Sequence, residues 1–375
     1  MSAADCDPLF WLPALRKGAL AADWSLTQWE TVIRLSRRLR LLGRLAESLQ
    51  VADVLDRVPA LVARHLHAEL RFSRARSDSL RWAVSRVAGV LAPAGYALVL
   101  LKGAAYMAQG LPIAAGRLPS DADVLVPRQH LADAQARLVA AGWEESSLDE
   151  HDRRYYHEWS HEVPPMRHPV LGLELDLHHN ILPPIAHTHV DIELLLRRLQ
   201  PSGWPGWQVF DPKDQVLHCA AHLFQDSDAR DRLRDLVDLD GLLRHFGADA
   251  AFWSDLPDRA AQLGLSEQLA LACHFSLHWL KTPLPDDVLR KIQLAGPSDW
   301  RRAWLHRMFA AVLTPTMPDE APLWTQNLAA QVLLVRHHFR RMPLRILLPH
   351  LWHKLRRPGR SAVEDVLIAD APRKA

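Results

Sequence analysis

The stretch GRLPSDADVLVP, residues 116–127, places two aspartates one residue apart at the start of an apolar run. A run of this kind, bounded by glycine and proline, is typical of a buried β-strand. Residues i and i+2 of a strand point to the same face, so Asp121 and Asp123 project together, with Cα atoms about 6.5–7 Å apart. Ala122 and Val124 fill the opposite face. Because unpaired carboxylates on a buried strand are costly, this pair requires a cation.

Residues 171–180, LGLELDLHHN, are the clearest strand in the chain. Their leucines lie on one face, and Glu174, Asp176 and His178 lie on the other. Three carboxylates on neighbouring strands are a natural ligand set for Mg²⁺, which prefers oxygen ligands. Two such ions, about 3.5–4 Å apart, can clamp the attacking and leaving oxygens of a phosphoryl displacement. A chance match is the alternative in a chain with 43 acidic residues, so the prediction depends on the whole constellation.

The composition of the chain is that of a globular protein with a sizeable core. It has 375 residues, 49% of them hydrophobic and 23% charged, which suggests two or three domains, or one domain with helical additions. A formal net charge of +2 is too small to indicate a nucleic-acid partner by itself. Most basic residues of the chain are arginines, and Lys102 lies at the end of an apolar run. A lysine at this position is not typical of an ordinary surface residue.

The cysteines and the apolar runs bear on the compartment. Three cysteines without a C-x-x-C pair indicate neither a disulfide framework nor a thiolate zinc site. The acidic start of the chain is unlike a signal peptide. The uncharged run at 87–101 is too short, and too broken by Pro93 and Gly95, to span a membrane. We therefore expect a cytoplasmic protein without a transmembrane segment.

Hydrophobic periodicity predicts three regions. Apolar residues at helical spacing predict an N-terminal helical region over 1–90, and helical patterns predict a C-terminal helical region over 201–375. Between them, residues 91–200 are predicted to form a small α/β core. The expected fold class is α+β.

Several elements are predicted at and near the core. Residues 96–103 are expected to form a buried strand, 128–142 a helix that ends at a glycine, and the aromatic-rich segment 154–163 a strand. The Pro, Gly and Ser content of 200–208 indicates a linker. Asp211 and Pro212 then fit the N-cap and first position of a helix.

The constellation resembles a known superfamily. The residues LLKGAA (100–105), RLPSDADVLV (117–126) and ELDLHH (174–179) resemble the polymerase-beta-like nucleotidyltransferases, above all the bacterial group of uncharacterised nucleotidyltransferases. DQVLHCAAHLF (214–224) and RLRDLVDLDGLL (232–243) resemble the helical region of that group. The resemblance covers roughly residues 20–250.

The resemblance implies a small mixed-sheet nucleotidyltransferase core flanked by helical regions. The activity implied is Mg²⁺-dependent transfer of an NMP from an NTP, expected to be ATP, to an unknown acceptor that is a small molecule, a peptide or a protein. Asp121 and Asp123 would hold two Mg²⁺ ions with Asp176, which is also the candidate base. Glu174 is the alternative third carboxylate, because it lies on the same face.

Nucleotide contacts are also expected from the resemblance. The candidates are Lys102, Gly103, Arg117, Ser120, His178 and His222. The wider superfamily has Gly-Ser ahead of its aspartate pair, whereas here Gly103 is followed by Ala104. Triphosphate binding is therefore expected to rely on backbone N–H groups at the following helix start, and on the charge of Lys102 or Arg117.

Two other functions stay open. Residues 157–161, HEWSH, fit the H-E-x-x-H pattern of zinc hydrolases, with His157 and His161 as ligands. Aromatic neighbours favour a strand there, and in a strand the two histidines would be about 13 Å apart, too far to share one ion. A non-catalytic nucleotide-binding or interaction module is the other alternative, which the missing serine at position 104 allows.

Three further patterns have ordinary structural interpretations beside functional ones. His218 and His222 lie one helical turn apart and fit a half-buried helix face, with His222 facing the cleft in the functional interpretation. Arg234 and Asp238 fit a surface pair at i, i+4. Residues 336–360 are basic and without acids; they fit a solvated helix face or a contact with an anionic partner.

Overall fold

A computed structural model describes residues 7–146, 156, 160–170, 172–225 and 229–341. Within these ranges the α-helices are α1 Leu26–Arg38, α2 Leu42–Val51, α3 Ala60–Leu91, α4 Lys102–Ala108, α5 Leu131–Ala140, α6 Ile192–Leu196, α7 Pro212–Gln225, α8 Leu233–Phe246, α9 Ala250–Gln262, α10 Ser266–Leu280, α11 Asp286–Ala295, α12 Asp299–Leu313 and α13 Trp324–Arg341. Short 3₁₀ turns occupy Leu12–Leu15, Gly18–Ala21, Leu55–Arg57, Ala92–Ala94, Pro112–Ala114 and Arg128–His130.

A seven-stranded mixed sheet lies between the helical parts. Its strands are β1 Val99–Leu100, β2 Asp121–Leu125, β3 Glu144–Glu145, β4 Met166–Arg167, β5 Glu174–His178, β6 Gln200–Pro201 and β7 Gln208–Val209, in the order β3-β4-β5-β2-β1-β7-β6. The central strands β2 and β5 run parallel, whereas β1 pairs with β2 antiparallel. Helices and a mixed sheet together are compatible with the predicted α+β class.

The N-terminal helices form as their periodicity predicts. The Ser25 side chain accepts the N–H of Gln28, and the Gln28 side chain accepts the N–H of Ser25, so α1 begins with a capping box. Trp29 of α1 and Leu45 of α2 are fully buried. α3, 32 residues long, packs against α2, α5 and β2. The helical prediction for the region up to about residue 90 is confirmed.

Helices also dominate after the sheet. α7 begins at Pro212, and Asp211 Oδ1 accepts the N–H of Lys213 at 3.0 Å, as the predicted cap requires. α7 carries the buried Asp214, whose carboxylate is held by two guanidinium contacts of Arg259 at 2.7 and 2.8 Å. One cluster of buried apolar side chains runs from Trp11 to Leu333. The domain boundaries at residues 90 and 200 stay predictions.

The strand predicted over 96–103 is wrong in its second half. Only Val99–Leu100 pairs as a strand, and Leu101 N–H still reaches the carbonyl of Asp123 at 3.0 Å. A helix then begins at Lys102. Alanines at 104 and 105 favour helix, and this local preference prevails where the apolar run suggested a longer strand.

The linker predicted at 200–208 belongs to the sheet instead. Gln200–Pro201 and Gln208–Val209 pair as the antiparallel strands β6 and β7, and Gln208 N–H donates to Leu98 O at 2.8 Å. The glycines and prolines between them form the turn of this hairpin, which explains their misleading composition.

Two other predicted elements have different outcomes. The helix over 128–142 is confirmed as a 3₁₀ turn followed by α5, and Gly142 after it has φ +93°. Half of the strand predicted at 154–163 lies outside the described residues, but Tyr156 is helical, so the prediction is wrong there. Glu162 makes one isolated bridge, to His178. The helices of the described ranges include none with the length and apolar character needed to cross a bilayer.

Candidate functional site

The central pair of strands collects carboxylates on one face of the sheet. In the parallel register of β2 and β5, Asp121 lies beside Glu174, and Asp123 lies beside Asp176. Paired residues of neighbouring strands point to the same face, so all four side chains project together. The expectation that the two acidic strands are neighbours is thereby confirmed.

The opposite face of these strands explains why the carboxylates are ordered. Ala122 and Val124 of β2 are 1% and 0% exposed, and Leu175 and Leu177 of β5 are fully buried. Helices α3 and α4 pack against β2. Because side chains alternate along a strand, burial of this apolar set fixes the carboxylates on the other side.

Asp123 is neutralised by two partners within the chain. Its Oδ1 accepts from Lys102 Nζ at 3.0 Å and from His178 Nε2 at 3.2 Å. Burial alone would raise the pKa of Asp123, but the charge of Lys102 and the hydrogen bond from His178 hold it well below the usual value. Both contacts fall on Oδ1, so Oδ2 is the oxygen suited to a metal.

Asp121 lies at the mouth of the same face with less compensation. Its Oδ1 accepts from Ser120 Oγ at 3.1 Å. Burial, and then the neighbouring charge of Asp123, raise the pKa of Asp121, although Lys102 and Arg234 oppose that change. The negative charge of Asp121 is therefore only partly balanced by the positive charges around it.

The negative charge of Asp176 is balanced still less. Burial first, and then the charges of Glu162, Asp121 and Asp123, raise its pKa well above the ordinary value for an aspartate. Glu174, the alternative third carboxylate, accepts two hydrogen bonds from Arg167, at 2.9 and 2.6 Å. Glu174 thus already has its counter-charge, whereas Asp176 has no ion pair among the described residues.

Lys102 stands at the start of α4 with a left-handed backbone, φ +43°. Such a conformation is uncommon for a residue with a side chain. Burial would lower the pKa of Lys102, but Asp123 and Asp121 raise it, so the ammonium stays charged. In this structure Lys102 is a counter-ion of the aspartate pair; its predicted phosphate contact stays a prediction.

Gly103 and Arg117 are packed against each other. A Cβ on Gly103 would lie 2.0 Å from Nη1 of Arg117, so only glycine leaves room for the guanidinium. Arg117 donates from Nε to Asp238 at 3.0 Å and lies over the ring of Tyr106. Burial opposes the charge of Arg117, but Asp238 raises its pKa. These contacts indicate that Arg117 positions the residues around it.

The surface pair predicted between Arg234 and Asp238 is wrong. Asp238 is 3% exposed and binds Arg117, while Arg234 Nη1 donates to the carbonyl of Leu118. The i, i+4 spacing suggested a local pair, but a long-range guanidinium from the loop before β2 takes its place. α8 is thus joined to the loop that carries the aspartates.

A cationic group beside the carboxylates was not predicted from the sequence. Arg232 donates to Asp235 Oδ2 at 2.7 Å and to His222 Nδ1 at 2.5 Å. Burial, then Lys102 and Arg232, lower the pKa of His222 to about 4, so its ring is neutral at physiological pH. The charge of Arg232 acts to lower the pKa of Lys102, and the charge of Arg234 acts to lower the pKa of Asp121. Only the quoted resemblance of 232–243 pointed to this region.

His218 and His222 do not share an environment. His218 is 4% exposed with its ring at the edge of Phe210, and burial lowers its pKa well below the usual value. The ring of His218 therefore belongs to the core. It is more buried than the half-buried helix face that the sequence predicted. His222 is partly exposed to solvent, and its ring contacts Arg232.

The remaining predicted features fall partly outside the described residues. His157, Glu158 and Trp159 of the H-E-x-x-H motif lie there, and so do residues 342–360 of the basic stretch. The described start of that stretch packs on the body: Arg336 and Arg340 both bind Glu267, at 2.6 and 3.0 Å.

Comparisons with known proteins place the chain in a family. A search of the curated proteins and a search of the solved structures each find no match. The model of a family described as "Uncharacterised nucleotidyltransferase" matches residues 25–281, which include α1, the whole sheet and α10. The chain therefore belongs to this family of uncharacterised nucleotidyltransferases.

Proposed function

We propose that this protein transfers a nucleoside monophosphate from an NTP, with ATP as the working substrate, to an acceptor that is a small molecule, a peptide or a protein. The observation that carries the proposal is the parallel register of β2 and β5, which brings Asp121, Asp123 and Asp176 to one face of the sheet. The family match supports the reaction class. In the polymerase-beta-like superfamily that the chain resembles, the same three-carboxylate pattern serves this reaction.

The donor set fits divalent magnesium. Its members are carboxylate oxygens, and the raised pKa values of Asp121 and Asp176 mark negative charge that the chain leaves uncompensated. Mg²⁺ bound there would neutralise the phosphate charge that develops during an in-line displacement. Within the chain, Lys102 and His178 hold Asp123 through Oδ1, and we assign Oδ2 to the metal.

Asp176 is the proposed acceptor of the proton. A general base must lie within hydrogen-bond reach of the proton that it takes, and the register places Asp176 on the same face as Asp121 and Asp123. Glu174 is less suited, because its carboxylate already accepts two hydrogen bonds from Arg167.

The phosphates of the nucleotide are assigned to the cationic side of the site. Ser120 binds Asp121, and the charges of Arg232 and Arg234 near the start of α8 act on Lys102 and on Asp121, respectively. Guanidinium groups suit phosphate because they donate two parallel hydrogen bonds. This arrangement replaces the hydroxyl that Ala104 lacks. We assign Arg117 to holding the loop rather than to the nucleotide, because its guanidinium is packed between Gly103, Tyr106 and Asp238.

The proposal is tested by calorimetric binding of the four common NTPs with and without Mg²⁺. Wild type should bind one of them only with Mg²⁺, and the double variant Asp121→Asn/Asp123→Asn should lose that binding. Asp133→Asn is the matched control, because this carboxylate lies on the surface of α5 beside Arg137. Turnover is followed as pyrophosphate release across an acceptor panel of hydroxyl-bearing small molecules, peptides and proteins.

The outcomes separate the possible functions. Full binding by the double variant would overturn the metal assignment. Mg²⁺-dependent binding without pyrophosphate release on any acceptor would favour a non-catalytic nucleotide-binding module, which the internal neutralisation of Asp123 by Lys102 permits.

A further inference from the structure

A second cluster of ligand atoms lies beside the carboxylate face. His161, Glu162 and His178 each offer one ligand atom, and no two of these atoms are more than 4.8 Å apart. His161 and Glu162 belong to a segment that pairs antiparallel with the end of β5. Glu162 forms a bridge with His178, and His179 N–H donates to His161 O at 2.8 Å. The backbone pairing therefore fixes all three side chains near one another.

The ring of His178 carries a nitrogen that lacks a hydrogen bond. Its side chain is 4% exposed, and its Nδ1 has no hydrogen-bond partner among the described residues. That nitrogen lies 3.4 Å from Oε2 of Glu162. Two ligands of a tetrahedral ion at about 2.0–2.2 Å are about 3.4 Å apart, so the separation fits a shared ion.

The other nitrogen of the same ring completes the pattern. His178 Nε2 donates to Asp123, which leaves Nδ1 as the lone-pair nitrogen. Histidines that bind metals usually donate their second ring N–H to a carboxylate in this way. His161 Nδ1 is also buried, and it has no hydrogen-bond partner within the described part of the chain.

We propose that His161, Glu162 and His178 form a binding site for a borderline divalent cation of the Zn²⁺ class, distinct from the carboxylate site. Two imidazoles and one carboxylate favour zinc or a related transition metal over Mg²⁺. Three protein ligands leave a fourth position for water or for an oxygen of the acceptor. The ion would tie Glu162 to the histidine that orients Asp123.

The test uses tag-free, chelator-treated protein, with Zn²⁺ followed by calorimetry and Co²⁺ by its visible absorption. Wild type should bind one equivalent with the d–d bands of a low-coordinate nitrogen and oxygen site. His161→Ala and Glu162→Gln should each weaken Zn²⁺ binding by about a hundredfold or more. Asp121→Asn should keep this equivalent, since its carboxylate belongs to the other site.

His274→Ala is the matched control, because its ring lies among those of His278 and His306 in the helical part. It should leave the binding unchanged. Loss in His274→Ala with retention in His161→Ala would overturn the proposal, and so would an absence of Zn²⁺ binding by wild type. If His161→Ala does not fold, Glu162→Gln decides alone, because it keeps the size of the side chain. The result is independent of nucleotide binding, so failure here and failure of the transferase proposal are distinguishable.

Discussion

The ammonium of Lys102 lies 3.0 Å from Oδ1 of Asp123, and both side chains are largely buried. Removal of one partner of a buried pair leaves the other charge uncompensated. Lys102→Met should therefore lower the free energy of unfolding by about 3 kcal/mol. Urea denaturation measures the change, and Lys291→Met on the exposed side of α11 is the control, expected within about 0.5 kcal/mol of wild type.

A double variant makes this prediction sharper. Lys102→Met combined with Asp123→Asn removes both charges, so its loss of stability should be smaller than the sum of the two single losses. Additive losses would show that the two groups do not stabilise each other.

Neutralising the uncompensated carboxylates should stabilise the protein in the presence of a chelator. The folded-state pKa of Asp176 is raised, so the folded protein holds this proton to a higher pH than the unfolded chain does. Its contribution is present at low pH and is lost as pH rises from about 3.8 through the folded pKa. Asp176→Asn should therefore be more stable than wild type at pH 7, by an amount that shrinks toward pH 4. Thermal unfolding across this pH range measures the difference, and a less stable variant at pH 7 would contradict the assignment.

Gly103 should not accept even a methyl group. The added Cβ of Gly103→Ala would meet Nη1 and Cζ of Arg117, at 2.0 and 2.8 Å, and Asp238 holds that guanidinium in place. We expect a loss of about 1–3 kcal/mol in the free energy of unfolding. Gly89→Ala, in the exposed part of α3 with nothing within 4 Å of the new Cβ, should instead gain about 0.5–1 kcal/mol. Equal effects in the two variants would show that Arg117 moves freely.

Stability should fall in mild acid because of two stacked histidines. The rings of His274 and His306 are 3.4 Å apart, and burial lowers their pKa values to about 3 and about 4. Between the ordinary pKa of 6.5 and these values, the unfolded chain binds more protons than the folded one, so stability rises with pH. His274→Gln should reduce this slope between pH 6.5 and 4, as measured by urea denaturation at a series of pH values. An unchanged slope would assign the acid sensitivity to other groups.

The strands of the site were predictable because their signal is local. The alternation in Glu174–His178 and the polar start of Asp121–Leu125 both follow from a period of two residues, which the printed sequence shows directly. The different surroundings of Glu174 and Asp176 were not predictable in this way. It depends on Arg167, which reaches Glu174 across the neighbouring strand.

The partners of the basic residues were also beyond a local pattern. Arg117 and Asp238 are 121 residues apart, and helical spacing suggested Arg234 as the partner of Asp238 instead. Likewise, the H-E-x-x-H pattern drew attention to His157 and His161, whereas the structure brings His161 to His178 through strand pairing. Pairs of this kind depend on the topology of the sheet, which spacing along the chain does not encode.

Asp123 and Arg117 are separated from their partners by different lengths of chain, and these lengths set the order in which a growing chain completes the site. Lys102 meets Asp123 across 21 residues, His178 reaches it across 55, and Asp238 secures Arg117 across 121. Closing longer loops costs more entropy, and the distal segments leave the ribosome later. A nascent chain that ends before β5 therefore has the counter-ion of Asp123 but not the third carboxylate. The carboxylate face of the sheet is thus incomplete until β5 has been synthesised.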